Sequence, residues 1–307
     1  MSFSLKKERL WEACSKGQLS IVKSLVREPG LDVNCRDTEQ RTGFFLACAF
    51  NQVAVIQFLL ALPRVDLNAS TRDGITPMFI ACSQNYKQVV VRLMADKRVD
   101  VNKPMSLGVT PFCVACMRGN LEVVAIFLTD KRIDVNTPQN LGMTPFFLAC
   151  QDGHKEVVSL LLADPRVDVN MPNSAQCTPL WQASQDGHLE VVQLLLASGR
   201  KVHIKTRSIA GNARWNDTTA AEVARYRAEL QNGQDLQEGF LLRLENCPQI
   251  AALLKKFQDD PATTRQQLRE LPHLRDSFIS EVFALVVFLS DDLLSQACHL
   301  IKELPIL

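Results

Sequence analysis

Apolar and polar positions along this chain follow a rhythm that returns every 34 residues. Within each period, apolar pairs stand four apart, as in Val123-Val124 with Phe127-Leu128 and Val157-Val158 with Leu161-Leu162, the spacing of one buried helical face. Threonine recurs at Thr42, Thr76, Thr110, Thr144 and Thr178, and four of the five precede a proline, at Pro77, Pro111, Pro145 and Pro179. A Thr-Pro pair predicts a helix start, with the hydroxyl capping free amides and proline occupying the first turn. Five residues on stand Ala47, Ala81, Ala115, Ala149 and Ala183, followed by Cys48, Cys82, Cys116, Cys150 and Ser184. Small side chains there let helices approach closely.

Nine residues after the threonine, the column reads Gly17, Asn51, Asn85, Gly119, Gly153 and Gly187 when extended one period upstream. These two residue types best tolerate the left-handed backbone that ends a helix, so the period holds two short helices. A Val-Asp-Val-Asn segment or a near copy follows, ending at Asn34, Asn68, Asn102, Asn136 and Asn170, and predicts a hairpin loop. One helix-turn-helix-hairpin unit cannot bury its own apolar face; stacked neighbours supply the core.

The segment GMTPFFLACQDGHKEVVSLLLADPRVDVN resembles the ankyrin repeat, whose pattern is Gly-x-Thr-Pro-Leu-His-x-Ala-x-x-x-Gly-His-x-Glu-Val-Val. The resemblance implies an all-α ankyrin-repeat solenoid with six copies over residues 1–198. A degenerate seventh copy with a long basic hairpin covers 199–231, and a small helical C-terminal capping module covers 232–307. There are two departures from the family. Each copy is one residue longer than the usual period, near Pro165 and its equivalents, and the family histidine is replaced by Phe45, Phe79, Cys113, Phe147 and Trp181. Packing is expected to hold that column instead. The seventh copy runs from Trp215 to Arg225 around Thr219, after a hairpin about seven residues longer than the others. In the C-terminal module, helices are expected at 248–258, 263–271, 275–290 and 292–304. That module either caps the stack or forms a second recognition unit.

Composition narrows the function classes. The chain has 34 basic against 33 acidic residues, so no global field favours nucleic acid or a membrane surface. The longest apolar run, Val282 to Leu289, is far short of the roughly 20 residues of a membrane helix. The opening residues lack the apolar stretch of a secretory signal, and ten cysteines then read as reduced thiols, which places the protein in the cytoplasm or nucleus. Cys113 and Cys116 form a Cys-x-x-Cys with no second pair to complete a metal site. There is no phosphate loop and no His-Glu-x-x-His. Neither a metal nor a cofactor is expected, and the protein is read as a non-catalytic monomer that binds another protein. The competing hypothesis is an enzyme or regulatory switch in the C-terminal module, with the repeats as its targeting domain.

The resemblance implies where a partner binds: hairpin tips and the exposed end of each first helix. Those positions hold Arg72, Asp73, Ile75, Leu107, Val109, Leu141, Met143 and Cys177 at tips, with Met117, Arg118, Gln151 and Asp152 on helices. Apolar residues at the central tips suggest a partly apolar peptide or helix, unless hairpins bury them against one another. Arg200, Lys201, Lys205, Arg207 and Arg214 of the long hairpin are either a contact for an acidic partner or a solvated loop. The resemblance also marks Asn102, Asn136 and Asn170 as candidates for asparaginyl hydroxylation, although a structural role explains them equally well.

Overall fold

The computed structural model describes residues 3–209, 216–230 and 245–275, and the chain divides into two compact units, Met1–Asn140 and Leu141–Leu307. The first unit contains α1 (Phe3–Ser15), α2 (Leu19–Val26), α3 (Gly43–Ala49), α4 (Val53–Leu60), α5 (Pro77–Ser83), α6 (Lys87–Ala95), α7 (Pro111–Met117) and α8 (Leu121–Leu128). The second contains α9 (Pro145–Asp152), α10 (Lys155–Ala163), α11 (Pro179–Gln185), α12 (Leu189–Ala197), α13 (Ala220–Leu230), α14 (Cys247–Asp259) and α15 (Pro261–Arg269). The helices expected at 275–290 and 292–304 lie outside the described residues, apart from Arg275.

Each first helix starts as the sequence predicts. The Thr42, Thr76, Thr110, Thr144 and Thr178 hydroxyls accept the amides of Phe45, Phe79, Cys113, Phe147 and Trp181 at 3.1–3.2 Å. Each helix pair is separated at the Gly/Asn column, where Asn51 and Asn85 take φ of 56° and 59° and the glycines take similar positive values. Gly153 needs its lack of a side chain twice over: its φ is 76°, and a Cβ would stand 2.4 Å from His188 Nδ1.

In the first unit, α1, α3, α5 and α7 pack in sequence on one another, as do α2, α4, α6 and α8. The alanine and cysteine columns lie between them and are buried. In the second unit α9 packs on α11, α11 on α13, α10 on α12, and α12 on α15.

The column that lacks the family histidine is buried from Phe45 to Trp181, with Trp11 at its head half-buried, and in the copies headed by Thr42, Thr76 and Thr144 it is filled by Phe45, Phe79 and Phe147. Tryptophan does more than pack. Trp11 Nε1 donates to Cys35 O at 3.1 Å, and Trp181 Nε1 donates to Thr218 O at 3.1 Å. Packing alone was the expectation, and at these two places it is joined by a hydrogen bond because indole keeps a donor that phenylalanine lacks.

Hairpin asparagines and arginines join each copy to its neighbour. Asn34, Asn68 and Asn102 donate from Nδ2 to the carbonyls of Arg64, Arg98 and Arg132 at 2.7–2.8 Å, and Asn170 donates to Lys201 O at 2.7 Å. The turn that carries the extra residue becomes an Asp-x-Arg clasp. Arg98 and Arg132 pair with Asp96 and Asp130 at 2.6 Å, and also reach back to Leu60 O and Met94 O, the end of an earlier second helix. Guanidinium groups suit that place, since the last carbonyls of a helix lack partners and carry its negative dipole end.

Candidate protein-recognition surface

A hairpin tip here is a five-residue loop closed by two backbone bonds. Counting back from the capping threonine, the residue five before donates to the carbonyl of the residue one before. The residue two before donates to the carbonyl of the residue five before. Met105 N to Val109 O and Gly108 N to Met105 O, at 3.0 and 2.9 Å, are one example; Asn173 N to Cys177 O and Gln176 N to Asn173 O, at 3.0 and 2.9 Å, are another. Tips also bond to one another. Ser106 N donates to Asp73 O and Asn140 N to Leu107 O in the first unit, and Ser174 N donates to Leu141 O in the second, at 2.8–3.1 Å. These bonds hold the tip backbones in register and leave the side chain three before the threonine pointing away from the ladder.

That position is apolar and bare at two tips. Leu107 is 60% exposed and Leu141 62% exposed, so hairpin packing does not bury them. Arg72 and Asp73 are exposed, Arg72 donating to Thr38 O at 2.7 Å, while Ile75, Val109 and Met143 are half-buried. On the helix ends, Arg118 is exposed and Met117, Gln151 and Asp152 are half-buried. Cys177 departs from expectation. It is 3% exposed, its amide bonded to Asn173 Oδ1 at 3.0 Å and its thiol directed to Ala175 O, so it offers a partner nothing as placed.

Two further apolar side chains share this character, Phe50 at a first-helix position of the kind the family resemblance marks for partners, and Ile209 outside the tips read from sequence. Phe50, at the end of α3, is 55% exposed, and Ile209 is 66% exposed. Phe50 was legible from its column, eight residues after Thr42. Ile209 was not, because an insertion hides its register. Ser208 N donates to Thr218 O and Asp217 N to Ser208 O, at 3.1 and 2.8 Å, the same two closing bonds as in the tips before Thr42, Thr76, Thr110 and Thr178. Ile209 N then donates to Ala175 O at 2.8 Å, so Ile209 occupies the tip position four before Thr219 despite lying ten residues away.

The long hairpin distributes its basic residues unequally. Arg200 is a ladder arginine, donating to Leu162 O, Asp164 O and Val167 O at 2.6–3.1 Å. Arg207 faces the Asp217 and Glu222 carboxylates, each at 3.4 Å. Lys201 and Lys205 are exposed, and Arg214 and Trp215 lie outside the described residues. Thr219 caps α13 in reciprocal fashion: its amide donates to Glu222 Oε2 at 2.7 Å while its hydroxyl accepts from Glu222 N at 3.4 Å. The bond from the Thr219 amide, with a second from its hydroxyl to Glu222 Oε2 at 2.9 Å, holds the Glu222 carboxyl below its ordinary pKa, aided by Arg207 and Arg225.

Of the hairpin asparagines, Asn102 and Asn170 spend their amides on the bonds described above, and His203 N adds a bond to Asn170 Oδ1 at 2.8 Å. The cysteine column is chemically quiet. Burial pushes the Cys14 and Cys113 thiols up to about 12 and raises those of Cys48, Cys82, Cys116 and Cys150, so thiolate is scarce at neutral pH. Among the described residues no group of three or more His, Cys, Asp or Glu could hold a metal ion. None of the described helices is long and apolar enough to cross a membrane.

A family model described as Ankyrin repeats (3 copies) matches residues 10–105, 50–139 and 112–206. The chain belongs to the ankyrin-repeat family. Its architecture is an all-α ankyrin-repeat solenoid. Among solved structures it is similar to the ankyrin repeat domain of Bcl-3, a member of the IkappaB protein family. The identity there is 20%, the TM-score 0.62, and the match covers 77% of this chain and 97% of that one. In all, 490 chains of solved structures match, a breadth that speaks for the fold and singles out no partner. No curated protein matches the chain.

Proposed function

We propose that this ankyrin-repeat protein is a non-catalytic adaptor or scaffold that holds a partly apolar peptide or helix of another protein at its hairpin tips and first-helix ends. Ankyrin repeats in general mediate protein–protein interaction, and the finer reading rests on the tips. The carrying observation is that Leu107 and Leu141 are 60% and 62% exposed, each at a tip that backbone bonds hold in place within its own unit. Large apolar side chains kept in water by an ordered backbone favour a contact surface. Arg72, Asp73, Arg118 and Asp152 supply polar flanks that select among apolar ligands. Free, deeply buried thiols agree with a protein working in the cytoplasm or nucleus.

The test compares the intact chain with its Leu107→Asp/Leu141→Asp variant by affinity capture and mass spectrometry, with circular dichroism confirming the fold. Proteins lost from the variant are tip ligands. An unchanged set of captured proteins, with the variant folded, overturns the tip reading.

A further inference from the structure

Two columns of backbone carbonyls run through the repeats, and each carbonyl is met by a side chain from the following copy. The first column closes the second helices: Val26 O, Leu60 O, Met94 O and Leu162 O accept from Arg64, Arg98, Arg132 and Arg200, each donor 38 residues after its acceptor. The second column closes the first helices: Ser15 O and Gln151 O meet Gln52 Nε2 and His188 Nε2 at 3.0 and 2.7 Å, each 37 residues on. Adding one period to Leu162 and to Gln151 gives the last members within the second unit, Leu196 and Gln185.

The long hairpin breaks the 38-residue spacing here, and no arginine stands between Arg243 and Arg265. The carbonyls are nevertheless met. Leu196 O accepts from Arg265 Nε at 3.3 Å, a donor 69 residues on, and the adjacent Ala197 O accepts from Arg269 Nε at 2.9 Å. Gln185 O accepts from Arg227 Nε at 3.1 Å, 42 residues on. Asn246 Nδ2 adds a bond to Gly187 O at 3.2 Å. All of these acceptors lie in the last turns of α11 and α12 or just beyond, where a helix has unsatisfied carbonyls and favours cations.

The apolar side of the same contact agrees. On α14 and α15, Ile250, Leu254, Phe257 and Leu268 are all at most 6% exposed. On α12, Val191, Val192, Leu194, Leu195, Leu196 and Ala197 are buried, one more residue than on the equally long interior helix α10. Contact with α14 and α15 leaves the outer face of α12 dry.

We infer that residues 245–275 are a strap that closes the repeat stack, with α15 returning from far along the chain to supply Arg265 and Arg269 to the last carbonyls of α12. α13 provides the first-helix half of this closing layer, and α14 and α15 provide the second. The segment is therefore a structural part of the repeat stack, and the sixth copy is stable only while the strap is docked. This goes beyond the partner-binding reading and does not depend on it.

Amide hydrogen exchange on the intact chain tests the strap. Arg265→Gln/Arg269→Gln should lower the protection of α12 amides by about tenfold or more, since a bond to a charged group is lost at each carbonyl. Protection across α3–α6 should be unchanged, and the exposed-residue control Lys255→Gln should alter neither. Leu254→Ala, which loosens the strap without touching a guanidinium, should lower α12 protection in the same way, and Arg265→Lys should do so less than Arg265→Gln. Exchange of α12 that stays at its wild-type rate while α14 and α15 exchange freely overturns the inference, because the strap then leaves without the sixth copy responding.

Discussion

The hairpin headed by Thr110 and the one headed by Thr219 close with the same two backbone bonds, yet one has a single residue between its second and fourth positions and the other has seven. In the short tip that residue is Leu107, exposed beside a ladder bond. In the long one seven residues, 210–216, stand there, yet Ser208 still closes with Thr218 and Asp217 and Ile209 N still reaches Ala175 O. The copy tolerates this because length added at a solvent-facing tip costs little closure entropy. The rest of the extra length lies near Arg200. There the bond to Asn170 Oδ1 spans 33 residues, against 32 for its counterparts at Asn34 and Asn68. Register in these repeats is thus a matter of which backbone groups meet, and sequence spacing reports it only while no loop intervenes.

The two regions differ most in what covers their helices, and core truncation probes that hardest. Phe112→Ala in the first unit removes a side chain 1% exposed and should cost about 3–5 kcal/mol, read by urea unfolding. Leu254→Ala in the strap should cost about 2–4 kcal/mol; a cost near zero would show that α14 contributes no core and would separate the two regions. Caps come next. Thr110→Ala and Thr144→Ala should each cost about 1 kcal/mol. Thr219→Ala should match them if the degenerate copy is held as firmly as a regular one, and fall short if α13 frays.

The smallest effect is electrostatic. Glu222 has its carboxyl depressed below the ordinary value in the folded chain, so its contribution is present above that value and is lost as pH falls through the depressed one. Glu222→Gln should therefore narrow the stability gap from wild type progressively in acid, and a gap independent of pH would detach Glu222 from the cap. Leu107→Asp and Leu141→Asp belong at the end of this order for stability, within about 0.5 kcal/mol because both side chains already face water. Their expected effect is on partner capture alone.

Much of this was legible in the chain. The five capping threonines, the left-handed Asn51, Asn85 and glycine column, and the buried alanine and cysteine columns all follow from local chemistry repeated in register. The sequence did not show that Val109 and Met143, read as tip contacts alongside Leu107 and Leu141, are half-buried while those two leucines are exposed. Cys177 misled because its type and column both suit a tip, whereas its amide and thiol turn inward to Asn173 and Ala175. Arg200 looked like part of a basic finger because sequence shows charge without showing which carbonyls lie within reach.

The sequence by itself determined the repeat, its helix starts and stops and the family they announce, because each depends on residues a few positions apart. Only the tertiary structure decided that Ile209 is a tip residue, that Arg200 is a clasp, and that Arg265 and Arg269 meet the last carbonyls of α12. Those assignments turn on backbone carbonyls finding the nearest available donor. A donor is near in space wherever packing brings it, however many residues of chain lie between.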